Sequence, residues 1–524
     1  MQSYQTDPGW ATARRHAEAQ RWDRACESYR ELATRYPNSV PAWLELSSAY
    51  DKLDRYALSR ECVFRAAAAG GPHVEPIAGL AIARRLRRFE ESERMLAYVE
   101  ATNLLSRLAP ERLIDLCTFM LSAGLYPAAE AALDRAERAT GLDPDAHNIR
   151  GLLAMFAGDN TAAAKSFRKA LKLRPRFPSV YTVLSKVMRA TPESNLVEEL
   201  ESLLSAAPSD TETVCLAYAL HNQLHDLREY EGAWRALERA CAAKRRVQPY
   251  DHAAAQAIFR TQRDIFANGL PVVPQATVAS PRPVFIVGMH RSGTTLLERI
   301  LSGSPQISDA GETYTFTAQF RLLADHFCQG VADPELLSRA RGIDLQRLGA
   351  LYGEAIRWRA RGRSHVTEKL NPNFLLLGQI LASLPDARVL HMRRDPVDTC
   401  FSNLRTLFTY EATYSYSQLE LADYYKEYVD LMDFWKTLAG PRILDVGYEA
   451  LVEQPEARAR EVAAHCGVEF VPEMLEVGRE GGMVATASTP DVRAGILKDR
   501  GSAWRPYEQW LQPMLDRLAQ HGLT

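Results

Sequence analysis

Up to about residue 265, the chain carries apolar residues at helical spacing. Ala, Leu, Arg and Glu dominate this stretch, which has short breaks and almost no run of β-branched residues. Apolar side chains that recur roughly every three or four residues form one face of an α-helix. The pattern predicts an all-helical region over residues 1–268.

The helical text repeats itself. Trp43-x-x-Leu46-Ser47-x-x-Tyr50 fits the pattern of the first helix of a repeat unit. A second-helix pattern, with small residues, an aromatic residue and a final proline at fixed spacing, recurs along the chain. The second-helix matches are Ala25, Tyr29, Leu32 and Pro37, then Ala163, Phe167, Ala170 and Pro175, with partial matches at Ala129, Leu133 and Ala136 and at Ala233, Leu237 and Ala240. Residues 181–188 have the first-helix spacing and open a further unit. Frames set at residues 6, 40, 110 and 144 lie one or two periods of about 34 residues apart, and residues 74–107 fit poorly.

These repeats resemble the tetratricopeptide-repeat proteins, in which each unit is a helical hairpin. The resemblance implies about six or seven hairpins stacked into a right-handed superhelix with a concave face. Such a face usually holds an extended peptide or a partner protein. An equally favoured interpretation is that the repeats only support or dimerise the second domain.

A different pattern begins after a proline-rich stretch at 269–282. Short apolar runs at 284–287, 387–392 and 442–446 alternate with helical text. Short apolar strands separated by helices are typical of a parallel sheet covered on both faces. We therefore expect a multidomain chain: a helical solenoid over 1–268, a linker over 269–282 and an α/β domain over 283–524.

Composition narrows the function classes. A chain of 524 residues is too long to fold around a single hydrophobic core. Its formal net charge of −2 creates no overall positive potential that would attract nucleic acid. An anion site must be local. No apolar run is long enough to span a bilayer, and eight cysteines stand singly, without metal-ligand spacing. These features favour a cytoplasmic protein with reduced thiols and no metal.

The run Gly288-Met-His-Arg-Ser-Gly-Thr-Thr295 follows the first apolar strand and precedes a helical segment. A glycine-bounded loop between a strand and a helix presents backbone amides to an anion, and Arg291 can fork two oxygens. Thr294 and Thr295 add hydroxyl donors. The loop has the spacing of a nucleoside-triphosphate loop, but Thr294 stands where such loops keep a lysine. The loop alone therefore leaves open which phosphate compound it holds.

Polar residues also follow the other two predicted strands. Arg393 and Arg394 precede Pro396, a good first residue of a helix, which would place Ser402 about two turns along that helix. The pair Arg394 and Ser402 could hold a second phosphate, or the two arginines could be a solvated basic pair. Tyr448 follows the third strand.

Together these residues resemble the sulfotransferases that use 3′-phosphoadenosine 5′-phosphosulfate (PAPS), in particular the branch of the tyrosylprotein sulfotransferases and of bacterial proteins that fuse tetratricopeptide repeats to a sulfotransferase domain. The resemblance implies that the 5′-phosphosulfate is held by Gly288, Arg291, Ser292, Gly293, Thr294 and Thr295, and the 3′-phosphate by Arg394 and Ser402. It implies Glu312 of Gly311-Glu312 as catalytic base, Lys369 and Arg291 as catalytic cations, and Tyr448 beside the adenosine. For Glu312 the alternative is a structural glutamate in the first turn of a helix.

One C-terminal segment departs from the family pattern. Trp504 is present, but Ala503 occupies the position where the fusion branch carries a basic residue. Three alternatives follow: Lys498 or Arg500 reaches the donor instead, the donor binds with lower affinity, or the activity has been lost. His290 is interpreted as shaping the loop rather than as a base.

The resemblance implies a PAPS-dependent enzyme that transfers the sulfuryl group to a hydroxyl without a metal. The acceptor is expected to be a tyrosine of a peptide or protein bound by the repeats, or else a glycan or small-molecule hydroxyl. A non-catalytic repeat scaffold with a nucleotide-binding domain, a homodimer and a phosphate-loop kinase are the other possibilities considered.

Overall fold

The computed structural model describes residues 7–140, 143–206, 209–271, 273, 281–478 and 502–523. The chain forms two compact units: residues 1–142 with 314–352, and residues 143–313 with 353–524. The domain bounds expected at 268 and 283 remain a prediction. No helix in the described ranges is both long and apolar enough to cross a membrane.

Helical hairpins recur along the first half of the chain. The helices are Gly9–Glu18, Trp22–Arg35, Val40–Lys52, Tyr56–Gly70, Pro76–Arg88, Ser92–Ala101, Leu104–Arg107, Pro110–Ser122, Tyr126–Thr140, Pro144–Ala157, Asn160–Leu173, Pro178–Val187, Val197–Ser205, Asp210–Asp226, Tyr230–Val247 and His252–Ile265. The first helices of successive pairs start at positions 9, 40, 76, 110, 144, 178 and 210, close to the period of about 34 residues. The stretch 74–107, which fits the sequence pattern poorly, also forms a helical pair.

Local sequence explains why these helices begin where they do. Proline, whose fixed φ suits the first helical position, opens several of them, as at Pro110 and Pro178. The side chain of Asp143 accepts a hydrogen bond from the amide of Ala146 at 2.7 Å, which caps the helix Pro144–Ala157.

Gly151 shows why the repeat needs a small residue. A Cβ atom at this position would lie 2.4 Å from the ring of Phe167, on the second helix of the same hairpin. The two helices therefore approach through the missing side chain, and the aromatic ring fills the gap.

The second half of the chain contains a parallel β-sheet. Its strands are β1 Arg282–Gly288, β2 Ile307–Asp309, β3 His365–Lys369, β4 Arg388–Arg393 and β5 Ile443–Gly447, in the order β2-β3-β1-β4-β5. Each neighbouring pair is parallel. The three strands expected from apolar runs are confirmed, whereas β2 and β3 have no such run. Because all strands run the same way, their carboxyl ends share one edge of the sheet.

Helices alternate with the strands along the chain and follow the last one, and those within residues 314–352 belong to the first compact unit. The helices are Thr294–Leu301, Thr315–Ala324, Pro334–Arg339, Leu345–Ile356, Leu377–Ser383, Pro396–Leu404, Gln418–Ala439, Tyr448–Glu453, Pro455–Cys466 and Glu508–Gln520. A buried apolar cluster joins β1 and β4 to the helices Thr294–Leu301 and Pro455–Cys466. The predicted helix starts at Thr294 and Pro396 are confirmed.

The last repeat helices belong to the same compact unit as the sheet. The hydroxyl of Tyr218 donates to the carbonyl of Leu404 at 3.0 Å. Phe259 is buried and its ring packs against Phe374 and Tyr424. The residues that follow β4 therefore rest on repeat helices.

Candidate active site

The loop between β1 and the helix Thr294–Leu301 is shaped by two glycines. Gly288 has φ +153°, and a Cβ there would lie 2.6 Å from the carbonyl oxygen of Met392 in β4. Gly293 has φ +106°, and a Cβ there would lie 2.6 Å from the ring of Tyr448. Both positions require glycine, because the backbone passes directly against its neighbours.

The loop ends at the N-terminus of the helix Thr294–Leu301. The first amides of an α-helix have no partner within that helix, and Gly293 at the cap supplies no side chain to them. Ser292 is buried, and its hydroxyl has no hydrogen-bond partner among the described residues. A buried hydroxyl beside a helix N-terminus suits a phosphate or sulfate oxygen.

The two threonines that open the helix are buried. The hydroxyl of Thr294 donates to the side-chain oxygen of Asn371 at 3.3 Å. Asn371 in turn donates to the carbonyl of Met289 at 2.8 Å, so it ties the segment after β3 to the loop. Thr295 is likewise buried at the first turn.

Arg291, Ser402 and Arg394 come together at the loop. The Nε of Arg291 donates to the hydroxyl of Ser402 at 3.1 Å, and Nη1 of Arg394 donates to the carbonyl of Arg291 at 3.4 Å. The Arg394 guanidinium lies 4.8 Å from the ring centroid of Tyr448 and 3.9 Å from the carboxylate of Asp398. The residues predicted for two separate phosphate groups therefore meet at one place.

The neighbouring arginine behaves differently. The Arg393 side chain is 59% exposed and pairs with Asp445 at 3.3 Å, whereas the Arg394 side chain is 13% exposed. The two are therefore not a solvated basic pair, because only Arg393 faces solvent.

Lys369 and Glu312 form an ion pair at the ends of two strands. The Lys369 side chain is 0% exposed, and its Nζ lies 2.5 Å from Oε1 of Glu312. Glu312 follows β2 in a loop where the Lys369 amide donates to the carbonyl of Gly311 at 3.1 Å. The next helix starts at Thr315, so Glu312 is not a first-turn helix residue. Its side chain is 42% exposed and is therefore reachable from solvent.

Sequence reasoning missed a second carboxyl beside Lys369. Oε2 of Glu298 lies 3.9 Å from the Lys369 Nζ, and its Oε1 accepts from the Thr367 hydroxyl at 3.2 Å. Burial, and then the charges of Asp309 and Glu312, raise the pKa of Glu298 to about 7, against the lowering effect of Lys369 and Thr367. The signal was available in the sequence, since Glu298 interrupts the apolar face Leu296, Leu297, Ile300 and Leu301.

His290 contacts residues other than Lys369, Glu312 and Glu298. Its Nδ1 lies 3.0 Å from the Tyr414 hydroxyl, its ring packs on Phe408, and its carbonyl accepts from Asn403 at 2.6 Å. These contacts hold the loop against the segment that follows the helix Pro396–Leu404.

The C-terminal candidates are only partly described. Trp504 is half-buried, and Ala503 is exposed. Two residues before Trp504, the amide of Ser502 donates to Asp398 at 2.9 Å, which brings this segment to the helix that carries Ser402. Lys498 and Arg500 lie outside the described residues.

Two family models match the chain. Residues 283–472 match the model described as "Sulfotransferase family", and residues 137–177 match a tetratricopeptide repeat. The chain therefore has tetratricopeptide helices followed by a domain with the parallel sheet of the sulfotransferase fold, as the sequence predicts.

The sequence identity to individual proteins is low. A protein of Aquifex aeolicus (strain VF5) described as "Uncharacterized protein" is 28% identical over 352 residues, which are 63% of this chain and 44% of that protein. The chain thus spans less than half the length of this curated relative. A sulfotransferase domain from the Synechococcus PCC 7002 olefin synthase is 18% identical with a TM-score of 0.30, over 47% of this chain and 98% of that one. A sulfotransferase from Alicyclobacillus acidocaldarius is 21% identical with a TM-score of 0.28, over 46% of this chain and 95% of that one.

Proposed function

We propose that this chain is a sulfotransferase that moves the sulfuryl group of PAPS to an acceptor hydroxyl. One observation carries the proposal: the Arg291–Ser402 hydrogen bond, with Arg394 on the Arg291 carbonyl, joins both groups of expected phosphate ligands. The match of residues 283–472 to the sulfotransferase family model supports the same reaction class.

The residues of the loop suit the donor. Gly288 and Gly293 let the loop backbone pass directly against Met392 and Tyr448, and the buried Ser292 hydroxyl has no hydrogen-bond partner within the described residues. In the proposal these residues, with Arg291, Thr294 and Thr295, hold the 5′-phosphosulfate. Arg394 and Ser402 hold the 3′-phosphate, and Tyr448 and Trp504 lie beside the nucleoside. Lys498 or Arg500 adds a cation.

The missing lysine agrees with this donor. A nucleoside-triphosphate loop uses its lysine to reach the β- and γ-phosphates. PAPS has no γ-phosphate, so the corresponding position is free for another purpose. Here Thr294 fills it and binds Asn371. In the proposal no metal takes part in the transfer.

The chemistry requires three functions from the chain. The bond between sulfur and the donor phosphate oxygen breaks while a bond between sulfur and the acceptor oxygen forms, and the acceptor proton goes to the Glu312 carboxylate. Lys369 and Arg291 supply positive charge to the transferring group, and the loop amides stabilise the leaving phosphate. Glu312 suits the base because its carboxyl group lies beside Lys369 and is reachable from solvent.

The acceptor in this proposal is the hydroxyl of a tyrosine in a peptide or protein held by the repeats. A phenol has a pKa of about 10, so a carboxylate base removes its proton more readily than that of an alcohol. The proposal places the reaction in the cytoplasm, and the tetratricopeptide match supports a role for the repeats in holding a protein.

Calorimetry and a transfer assay test the proposal together. Adenosine 3′,5′-bisphosphate should bind without Mg²⁺, whereas ATP should not; Mg²⁺-dependent ATP binding would indicate a kinase instead. Radiolabelled PAPS should then label tyrosine peptides. Label on a glycan or a small alcohol would replace only the acceptor class. Nucleotide binding with no transfer to any class would identify a scaffold and overturn the enzyme.

A further inference from the structure

Glu298 is a buried carboxyl next to the proposed catalytic pair that the proposed reaction does not use. It lies in the helix that follows the anion loop, and its two oxygens contact two residues of β3 on the same side of that strand. One oxygen is 3.2 Å from the Thr367 hydroxyl and the other is 3.9 Å from the Lys369 Nζ. Lys369 therefore has one carboxylate at 2.5 Å, that of Glu312, and a second one farther away.

The difference in exposure separates the roles of the two carboxyls. The Glu312 side chain is 42% exposed, whereas the Glu298 side chain is only 9% exposed. A general base must come within hydrogen-bond reach of the proton that it removes. Glu298 is consequently out of reach of an acceptor hydroxyl, and within the part of the chain that the structure describes it forms an ion pair with Lys369.

We propose that Glu298 is a positioning residue for Lys369, and that its charge state sets how much of the lysine ammonium is available to Glu312 and to the transferring group. This inference rests on the proposed sulfuryl transfer. When Glu298 is neutral, the Lys369 charge acts on Glu312 and the reacting group alone. When Glu298 is ionised, it competes for the same ammonium and weakens that charge at the reacting group.

The groups around Glu298 agree with a carboxyl that can change its charge. Lys369 and Thr367 face it from β3, Asp309 from β2 and Glu312 from the following loop, while Arg299 adjoins it on its own helix. The helix Pro455–Cys466 and the segment Pro472–Leu475, which also pack on this helix, contribute apolar side chains such as Val462 and Met474. Desolvation by these surroundings raises the pKa of Glu298 to about 7.

This pKa predicts the direction of a stability effect. A carboxyl with a pKa raised on folding stabilises the folded chain fully below its ordinary pKa of 4.5, and that contribution is lost as pH rises through about 7. Glu298→Gln keeps the shape and stays neutral, so it escapes the loss. The melting temperature of Glu298→Gln minus that of wild type should therefore grow between pH 4.5 and pH 7 and stay constant above.

Two further variants shift the same step in opposite directions. Thr367→Val removes a hydrogen bond to the ionised carboxylate and so raises the pKa of Glu298, and the pH at which the stability loss ends should be higher. Asp309→Asn removes a nearby negative charge and so lowers the pKa of Glu298, and the pH at which the stability loss ends should be lower. These changes keep the proposal testable even where Glu298→Gln fails to fold.

The pH profile of turnover tests the positioning role itself. In the wild type, kcat should fall by about tenfold as pH rises through about 7. This fall is smaller than the one caused by removing a hydrogen-bond donor to the transition state, because the Lys369 charge is weakened rather than lost. Glu298→Gln should keep the low-pH value across that range, with the KM for PAPS within about twofold. The same fall in Glu298→Gln as in the wild type would overturn the proposal.

A failure of the proposed function would be recognised separately. If the wild type transfers no sulfuryl group to any acceptor, the reaction is wrong and the melting series decides on Glu298. If the difference in melting temperature between Glu298→Gln and the wild type does not change between pH 4.5 and pH 7, the proposed change of charge at Glu298 is wrong as well.

Discussion

Arg291 has a backbone conformation that residues other than glycine rarely adopt. Its φ is +67°, which costs about 1–2 kcal/mol for a side chain with a Cβ. In this conformation its side chain reaches Ser402 and its carbonyl accepts from Arg394. Strain held by surrounding contacts is common where a loop must present its groups to a ligand. The backbone at this residue thus supports the proposed donor site.

Substitutions of the two adjacent arginines should separate a ligand from a surface charge. Arg394→Ala removes a buried guanidinium, and a lost hydrogen bond to a charged group costs about 1.5–3 kcal/mol. The Kd for adenosine 3′,5′-bisphosphate should rise about 10–100-fold in calorimetry. Arg393→Ala, the matched control, should stay within about twofold, because that side chain faces solvent. An equal loss in both would contradict the assignment.

Glu312→Gln should stop turnover and spare donor binding. The amide cannot take up the acceptor proton, so kcat should fall by about 10²–10⁴-fold in the transfer assay. Calorimetry should give a Kd for adenosine 3′,5′-bisphosphate within about threefold of wild type, because Glu312 contacts Lys369 rather than the loop. Glu456→Gln, on an exposed helix surface, is the control. A Glu312→Gln enzyme with the full rate would mean that another group is the base.

At the scale of elements, the apolar pattern identified some strands and missed others. β1 and β4 carry runs of Val, Ile, Leu and Phe, and the sequence alone placed them. β3 reads His-Val-Thr-Glu-Lys yet is buried at all positions. Two of its polar side chains are paired with residues distant in sequence, Thr367 with Glu298 and Lys369 with Glu312. Local patterning contains no information about such partners, and a three-residue strand such as β2 is too short to show any period.

Gly151 offers a test of helix approach within one repeat hairpin. An added Cβ would meet the Phe167 ring at 2.4 Å, so Gly151→Ala should destabilise the chain although alanine favours helices by about 1 kcal/mol. We expect a net loss of about 1–3 kcal/mol in denaturant unfolding, the usual cost of overpacking. Gly232→Ala is the control, since its Cβ would meet only the tip of Leu224 at 3.2 Å. Equal stability of the two variants would show that the helices can move apart freely.

At the scale of the whole molecule, the sequence showed the two kinds of structure but not how they divide into compact units. Residues 314–352 carry ordinary helical text, and the amphipathic pattern does not say which helices they will pack against. In the structure, Phe327 packs against Tyr56 and Phe89 of the N-terminal repeats. Repeat helices after residue 143 instead share a unit with the sheet.

Fragments test this division. A fragment of residues 283–524 lacks Phe259, which packs on Phe374 and Tyr424, and lacks the contact from Tyr218 to Leu404. Burying one large aromatic side chain contributes about 1.5–3 kcal/mol, so this fragment should melt at a lower temperature than residues 209–524. Both fragments contain residues 314–352 without their repeat partners, which makes the comparison matched. Equal melting temperatures by calorimetry would show that the repeats add nothing to the sheet domain.

The discontinuous first unit also has a consequence for synthesis on the ribosome. Tyr56 and Phe89 emerge early, whereas Phe327, which packs against both, is added more than two hundred residues later. At about 5–20 residues per second, the N-terminal hairpins wait on the order of tens of seconds with those rings uncovered. The nascent chain is therefore exposed to wrong partners during that interval, and slower translation between residues 90 and 327 would lengthen the exposure.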